Sequence, residues 1–263
     1  MGFDAAGQRV LITGASSGIG AALAERLAEQ GAVVGLCARR EERLREVLDR
    51  CRKHSPESRM WVCDLTDFDA LDAMARAAVA EMGGVDVLVN NAGIPKRKHV
   101  TELDAGTVEA VMRVNYVSPV RLTLALLPDM VARGSGRIVN VSSVAATLSS
   151  PGEAAYDASK SALSVFSEAM AIDLWETGVK VLVVYPGVVD TELFTIPDND
   201  PLPPVIERIP VDEMVDGIVA ALGSDSIEVY VPAWFKEFAT GKAGNLDVFL
   251  AGSADWVRQQ QEA

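Results

Sequence analysis

An α/β fold on a parallel sheet is predicted by three features of this sequence. Short, β-rich apolar runs alternate with amphipathic stretches, the signature of βαβ units. Some runs, such as Val87-Leu88-Val89 and Val181-Leu182-Val183-Val184, are continuously apolar, as strands covered on both faces should be. Several runs end in Gly, Asn, Asp or Ser, which favour turns and helix N-caps.

Taken in order, the strands are expected at Arg9–Thr13, Ala32–Ala38, Arg59–Cys63, Val85–Asn90, Arg137–Ser142, Lys180–Tyr185 and Glu228–Val231. Helical patterns lie between them. Leu44, Val47, Leu48 and Cys51 follow i, i+3, i+4, i+7, and Leu163, Phe166, Met170 and Leu174 recur every three or four residues. No linker or solenoid-length repeat interrupts the alternation, so residues 1–263 read as one domain. The exception is Asp190 to Pro210, where Pro197, Pro201, Pro203, Pro204 and Pro210 alternate with Leu193, Phe194, Ile196 and Val205. So long an irregular segment with apolar residues reads as a substrate lid at about 190–210. Beyond it, an extension at about 232–263 carries Trp234, Phe235, Phe238, Phe249 and Trp256, suited to covering a pocket, packing on a partner subunit or touching a membrane surface.

Composition narrows the function. Apolar residues make up 49% and charged residues 23% of the 263 positions, which suits a folded core. A formal net charge of −13 repels a phosphate backbone and argues against nucleic acid as a partner. No apolar run approaches the ~18 residues a membrane span requires. The N-terminus lacks the basic and apolar regions of a signal peptide, and Ala6 departs from the myristoylation pattern. Cys37, Cys51 and Cys63 have no metal spacing and read as reduced, mostly buried thiols of a cytoplasmic protein; no metal is expected.

The first strand runs straight into Thr13-Gly14-Ala15-Ser16-Ser17-Gly18-Ile19-Gly20. Glycines permit a tight turn and close backbone approach, and a helix N-terminus offers free N–H groups to phosphate. The same stretch matches Gly-x-Ser-x-Gly, the nucleophile elbow of serine hydrolases, which requires a later acid and then a histidine. The histidines are His54 and His99 alone, and none follows residue 99 to complete such a triad. After the second strand, Arg39 and Arg40 stand where a dinucleotide site reads the adenosine ribose; arginine there suits the 2′-phosphate of NADP(H) over NAD(H). Alternatively, both simply open a solvated helix with Glu41 and Glu42.

Tyr156 and Lys160 lie four apart, which on a helix turns one about 40° from the other and points both from one face. An ammonium near a phenol favours the phenolate, so Lys160 is expected to lower the tyrosine pKa and make it a general acid/base. Ser143, thirteen residues before Tyr156, is placed to hold the reacting oxygen, although Ser142 competes for that role.

Together these motifs resemble the short-chain dehydrogenase/reductase family over roughly residues 7 to 232. The resemblance implies a Rossmann-type, doubly wound, seven-stranded sheet of order 3-2-1-4-5-6-7. It implies a catalytic tetrad of Asn115, Ser143, Tyr156 and Lys160. It also implies a cofactor site at Gly14, Ser16, Ser17, Gly18, Ile19, Gly20, Arg39, Arg40, Asp64, Leu65, Asn91, Ala92, Gly93, Tyr156, Lys160, Pro186, Gly187, Val189 and Thr191. The substrate pocket would be lined by Ser143, Ile94, Val144, Ala145, Val188, Leu193 and Phe194, which suits an apolar ketone, aldehyde or alcohol. His99 and the run Lys96-Arg97-Lys98 are expected to form a solvated loop instead. By resemblance the protein is a homodimer or homotetramer. The alternatives are a sensor that binds NADPH without turnover, or an epimerase or dehydratase on the same scaffold.

Overall fold

All seven expected strands form, at β1 (Arg9–Thr13), β2 (Val33–Ala38), β3 (Arg59–Val62), β4 (Val87–Asn90), β5 (Gly136–Val141), β6 (Val179–Pro186) and β7 (Glu228–Val231). The computed structural model describes residues 2–202 and 205–262; Met1, Ala263 and two prolines of the expected lid, Pro203 and Pro204, lie outside the described residues. Every neighbouring strand pair is parallel, and the order is β3-β2-β1-β4-β5-β6-β7. The strand order therefore reverses between β1 and β4, and the carboxyl ends there open a crevice for ligand.

The helices are α1 (Gly18–Glu29), α2 (Glu41–Arg52), α3 (Phe68–Met82), α4 (Ala105–Met112), α5 (Ser118–Arg133), α6 (Ala145–Leu148), α7 (Ala154–Asp173), α8 (Val211–Leu222), α9 (Phe235–Gly244) and α10 (Leu246–Glu262). Strand alternation divides the core in two. Val10, Ile12, Val34, Leu36, Val139 and Val184 pack beneath α1, α2 and α8 through Leu23, Leu27, Leu44, Val47 and Ile218. Leu11, Leu88, Ile138 and Val181 face the other way, against Leu71 and Met74 of α3, Leu122 and Met130 of α5 and Met170 of α7. At about 1.5–3 kcal/mol per fully buried large apolar side chain, these two layers dominate the stability of the scaffold. Among the described residues, no helix is long and apolar enough to cross a membrane.

Two junctions register the crevice. Thr13 Oγ1 accepts from the N–H groups of Asn91 and Ala92 at 3.1 and 3.2 Å, and Asn91 Nδ2 donates to the Thr13 carbonyl at 2.9 Å. These bonds tie the end of β1 to the chain leaving β4. Between α4 and α5, one π-helical turn spans Arg113–Val117, an irregularity often found at functional sites. It carries Asn115, fully buried.

Candidate active site

A cavity of about 760 Å³ opens along the carboxyl ends of β1, β4, β5 and β6. Such a volume suits a cofactor together with a small substrate. Its floor is the turn Gly14 to Ile19, and the sequence explains that shape. Gly14 has φ +67°, and a Cβ there would lie 2.8 Å from the Ala92 Cα, so only glycine fits. Ser17 is extended and its side chain does not cap α1, and no acidic residue sits in the first turn. The helix therefore presents unpaired N–H groups and an unopposed positive dipole end to the cavity, as a phosphate requires. Gly20 departs from its expected role as a cofactor contact. It does not line the cavity; a Cβ there would meet the Gly14 carbonyl oxygen at 2.6 Å, so it serves close packing behind the turn.

The end of the cavity beside β2 is lined by Ala38, Arg39, Arg40, Asp64 and Leu65. The Asp64 carboxylate accepts from the Thr66 N–H at 2.9 Å and its hydroxyl at 2.8 Å, which hold its pKa below the usual range. Arg40 reaches back to the glycine turn, donating through Nη2 to Ser17 Oγ at 2.6 Å and through Nε to Ser16 Oγ at 3.3 Å. Arg39 stands exposed on the same rim, and its charge acts on Asp64.

At the other end Ser143, Tyr156 and Lys160 line one wall. Ser142 and Ser143 divide the two roles open to them. Ser142 is spent within the core, donating to the Lys160 carbonyl at 3.1 Å and bonding Ser164 Oγ at 2.8 Å. Ser143 is the hydroxyl whose hydrogen bond acts on Tyr156. Lys160 is 3% exposed, donates to the Val141 carbonyl at 2.8 Å, and sits 5.8 Å from the Tyr156 ring centre. Burial pushes its pKa down to about 8. The expected lowering of the tyrosine pKa is reversed. Burial, reinforced by the Glu153 charge, raises the Tyr156 phenol above its ordinary value, and the Ser143 hydrogen bond opposes this only in part. In this arrangement desolvation is the largest effect on the phenol.

Asn115 does not line the cavity but braces it. Its Oδ1 accepts from the Ile94 N–H at 2.8 Å, and its Nδ2 donates to the Ile94 carbonyl and to Ser159 Oγ, both at 3.0 Å. The chain from Gly93 to Ile94 is thereby held against α7. Asn91, Ala92, Gly93, Pro186, Gly187, Val189 and Thr191 all line the cavity between the two ends.

Over the substrate side lie Ile94, Val144, Ala145, Val188, Leu193, Phe194, Ile196 and Leu202, with Trp256 and Val257 of α10. The segment after β6 is cinched at its base, where Asp190 N–H donates to the Ile209 carbonyl at 2.9 Å and Ile209 N–H to that of Val188 at 2.8 Å. Of the roles open to the aromatic tail, cavity cover is the one Trp256 occupies here. Phe235 packs so close to Gly187 that a Cβ there would come within 2.6 Å of its ring.

The basic run is not the solvated loop expected. Arg97 is 5% exposed and lines the cavity. Its Nε donates to the Asp200 carbonyl at 2.8 Å and its Nη2 to that of Phe194 at 3.3 Å, while Lys96 and Lys98 pair with Asp198 and Asp200. Three cations thus fasten the segment that follows β6. Nothing in a Lys-Arg-Lys run distinguishes this from a solvated one, because Asp198 and Asp200 lie about a hundred residues away in sequence and Glu153, which faces Arg97, is also distant. His99 is exposed as expected, yet it too lines the cavity.

The cavity chemistry suits a nicotinamide dinucleotide: a phosphate-accepting helix end, a guanidinium rim, and a buried lysine beside a tyrosine. Known proteins agree on the family. Residues 8–200 match the short chain dehydrogenase family model. A fatty acyl-CoA reductase from Acinetobacter baylyi is 39% identical over 189 residues, 71% of this chain; the match spans 64% of that relative, just under two thirds of its length. A short-chain dehydrogenase from Streptomyces avermitilis superposes with a TM-score of 0.81 at 31% identity, covering 97% of both chains. One from Burkholderia cenocepacia, solved in complex with NADP, gives 0.81 at 31% identity, over 95% of this chain and 99% of that one. The chain belongs to the short-chain dehydrogenase family.

Proposed function

We propose that this protein is an NADP(H)-dependent reductase or dehydrogenase interconverting an apolar ketone or aldehyde and its alcohol. One observation carries the reading: Ser143, Tyr156 and buried Lys160 share a cavity with an uncapped glycine turn and a guanidinium rim. The dinucleotide, when bound, supplies or accepts the hydride. Tyr156, held protonated at neutral pH by burial, donates its proton to the carbonyl oxygen in reduction and takes it back in oxidation. Ser143 hydrogen-bonds that oxygen. Lys160, with a pKa of about 8, carries the charge that helps Tyr156 recover its proton and would hold the ribose hydroxyls of the dinucleotide. Asn115 keeps Ile94 and Ser159 in register with them. The apolar lining and the acyl-CoA reductase among the relatives support an extended apolar substrate. The four tetrad positions favour turnover over NADPH sensing.

The test is consumption of NADPH and NADH over a panel of ketones and aldehydes, with Tyr156→Phe as control. Faster NADPH consumption is expected, with turnover abolished in the variant while NADPH affinity stays within a few-fold, since a single hydrogen bond is worth about 0.5–1.5 kcal/mol. A variant retaining near-wild-type turnover removes Tyr156 from the acid/base role. Tight NADPH binding without turnover of any carbonyl favours the sensor.

A further inference from the structure

The first residue of the short turn after β6, Glu192, reaches across the crevice to the adenosine rim. Its carboxylate accepts from Arg40 Nη1 at 3.0 Å and from Arg43 Nη1 at 2.7 and 2.6 Å. Arg40's remaining donors are already on Ser16 and Ser17 of the glycine turn. One carboxylate therefore joins three elements: the phosphate turn, the start of α2, and the segment covering the substrate side. We propose that Glu192 is a specificity-determining residue, a built-in competitor for the 2′-phosphate of the dinucleotide. It takes Arg40, one of the two arginines placed for a 2′-phosphate, together with Arg43 beside it, while Arg39 stays exposed on the rim, so that the phosphorylated dinucleotide frees the turn after β6 and the unphosphorylated one leaves it clasped. The inference rests on the NADP(H) reading of Arg40.

The magnitudes suit an exchangeable clasp. Both arginines and Glu192 are roughly half exposed, so each pair is solvent-screened and weak. A phosphate monoester brings about −1.5 to −2 charge and three acceptor oxygens against one carboxylate, enough to displace it. By linkage, whatever Glu192 gains from the arginines is subtracted from the affinity for the phosphate.

The experiment uses the full chain and two probes, adenosine 2′,5′-bisphosphate and adenosine 5′-monophosphate, with binding measured by calorimetry for wild type and Glu192→Gln. The variant should bind the bisphosphate about three- to tenfold more tightly and the monophosphate unchanged within about twofold. In wild type, the bisphosphate alone should speed amide hydrogen exchange at residues 192–195. A wild type that prefers the bisphosphate, with a variant no tighter and no probe-specific exchange, overturns the clasp and leaves the NADP(H) reading standing. If wild type binds both probes alike, the NADP(H) reading falls; a preference appearing in the variant would then uphold the clasp, and none would overturn both.

Discussion

Tyr156 and Asp157 are adjacent in sequence, yet burial acts on them with different consequences. The phenol holds its proton more tightly and stays protonated through neutral pH. Asp157 is buried with its Oδ1 unpaired, and burial together with the Glu153 charge one turn earlier pushes its pKa up to about 8 from an ordinary 3.8. A raised folded-state value means that its stability contribution is fully present below about pH 4 and is lost as the pH rises through about 8. Asp157→Asn, neutral throughout, should therefore gain thermal stability relative to wild type between pH 4 and 8, and the gain should level off above 8. A Tm difference independent of pH would remove the buried charge as its source. Tyr156 and Lys160 were legible as a pair from their spacing. The direction of the tyrosine shift was not, because desolvation depends on what the tertiary fold stacks over the ring.

The π-helical turn at Arg113–Val117 shows how one element serves another. Its widened backbone carries Asn115, whose amide satisfies both backbone groups of Ile94 and reaches Ser159 on α7. Asn115→Ala would leave these groups without their partners, at about 1–3 kcal/mol for an unsatisfied buried group. A loss of about 2–4 kcal/mol in urea unfolding at unchanged m is expected. A loss below about 0.5 kcal/mol would show that water replaces the amide without cost. The helices were visible as periodic apolar positions: Leu44, Val47, Leu48 and Cys51 are all buried on α2, as their spacing requires. The π turn left no such trace, since a single extra backbone residue does not alter composition.

At the scale of the whole molecule, two sets of apolar side chains remain uncovered. Trp234 and Phe238 of the tail are about half exposed, and α5 and α7, beside the catalytic wall, expose Leu124, Val165 and Ile172. Isolated exposed apolar residues are ordinary, but several on the helices after Asn115 and bearing Tyr156 support a subunit interface. Light scattering should give a mass of two or four times 28.0 kDa. A double change, Val165→Glu with Ile172→Glu, should shift it towards the monomer. A monomeric wild type would remove the assembly from the proposal.

By itself the sequence determined the parallel sheet, the glycine turn, and the spacing of Ser143, Tyr156 and Lys160. Each of these is local: periodicity, turn chemistry and helical geometry act over a few residues, and the family motifs recur in order. The tertiary structure alone decided that Arg97 is buried, that Gly20 packs instead of binding, that the phenol is raised, and that Glu192 grips Arg40 and Arg43. Those outcomes depend on desolvation and on partners brought together from some 70 to 150 positions apart, and no local pattern in the chain records them.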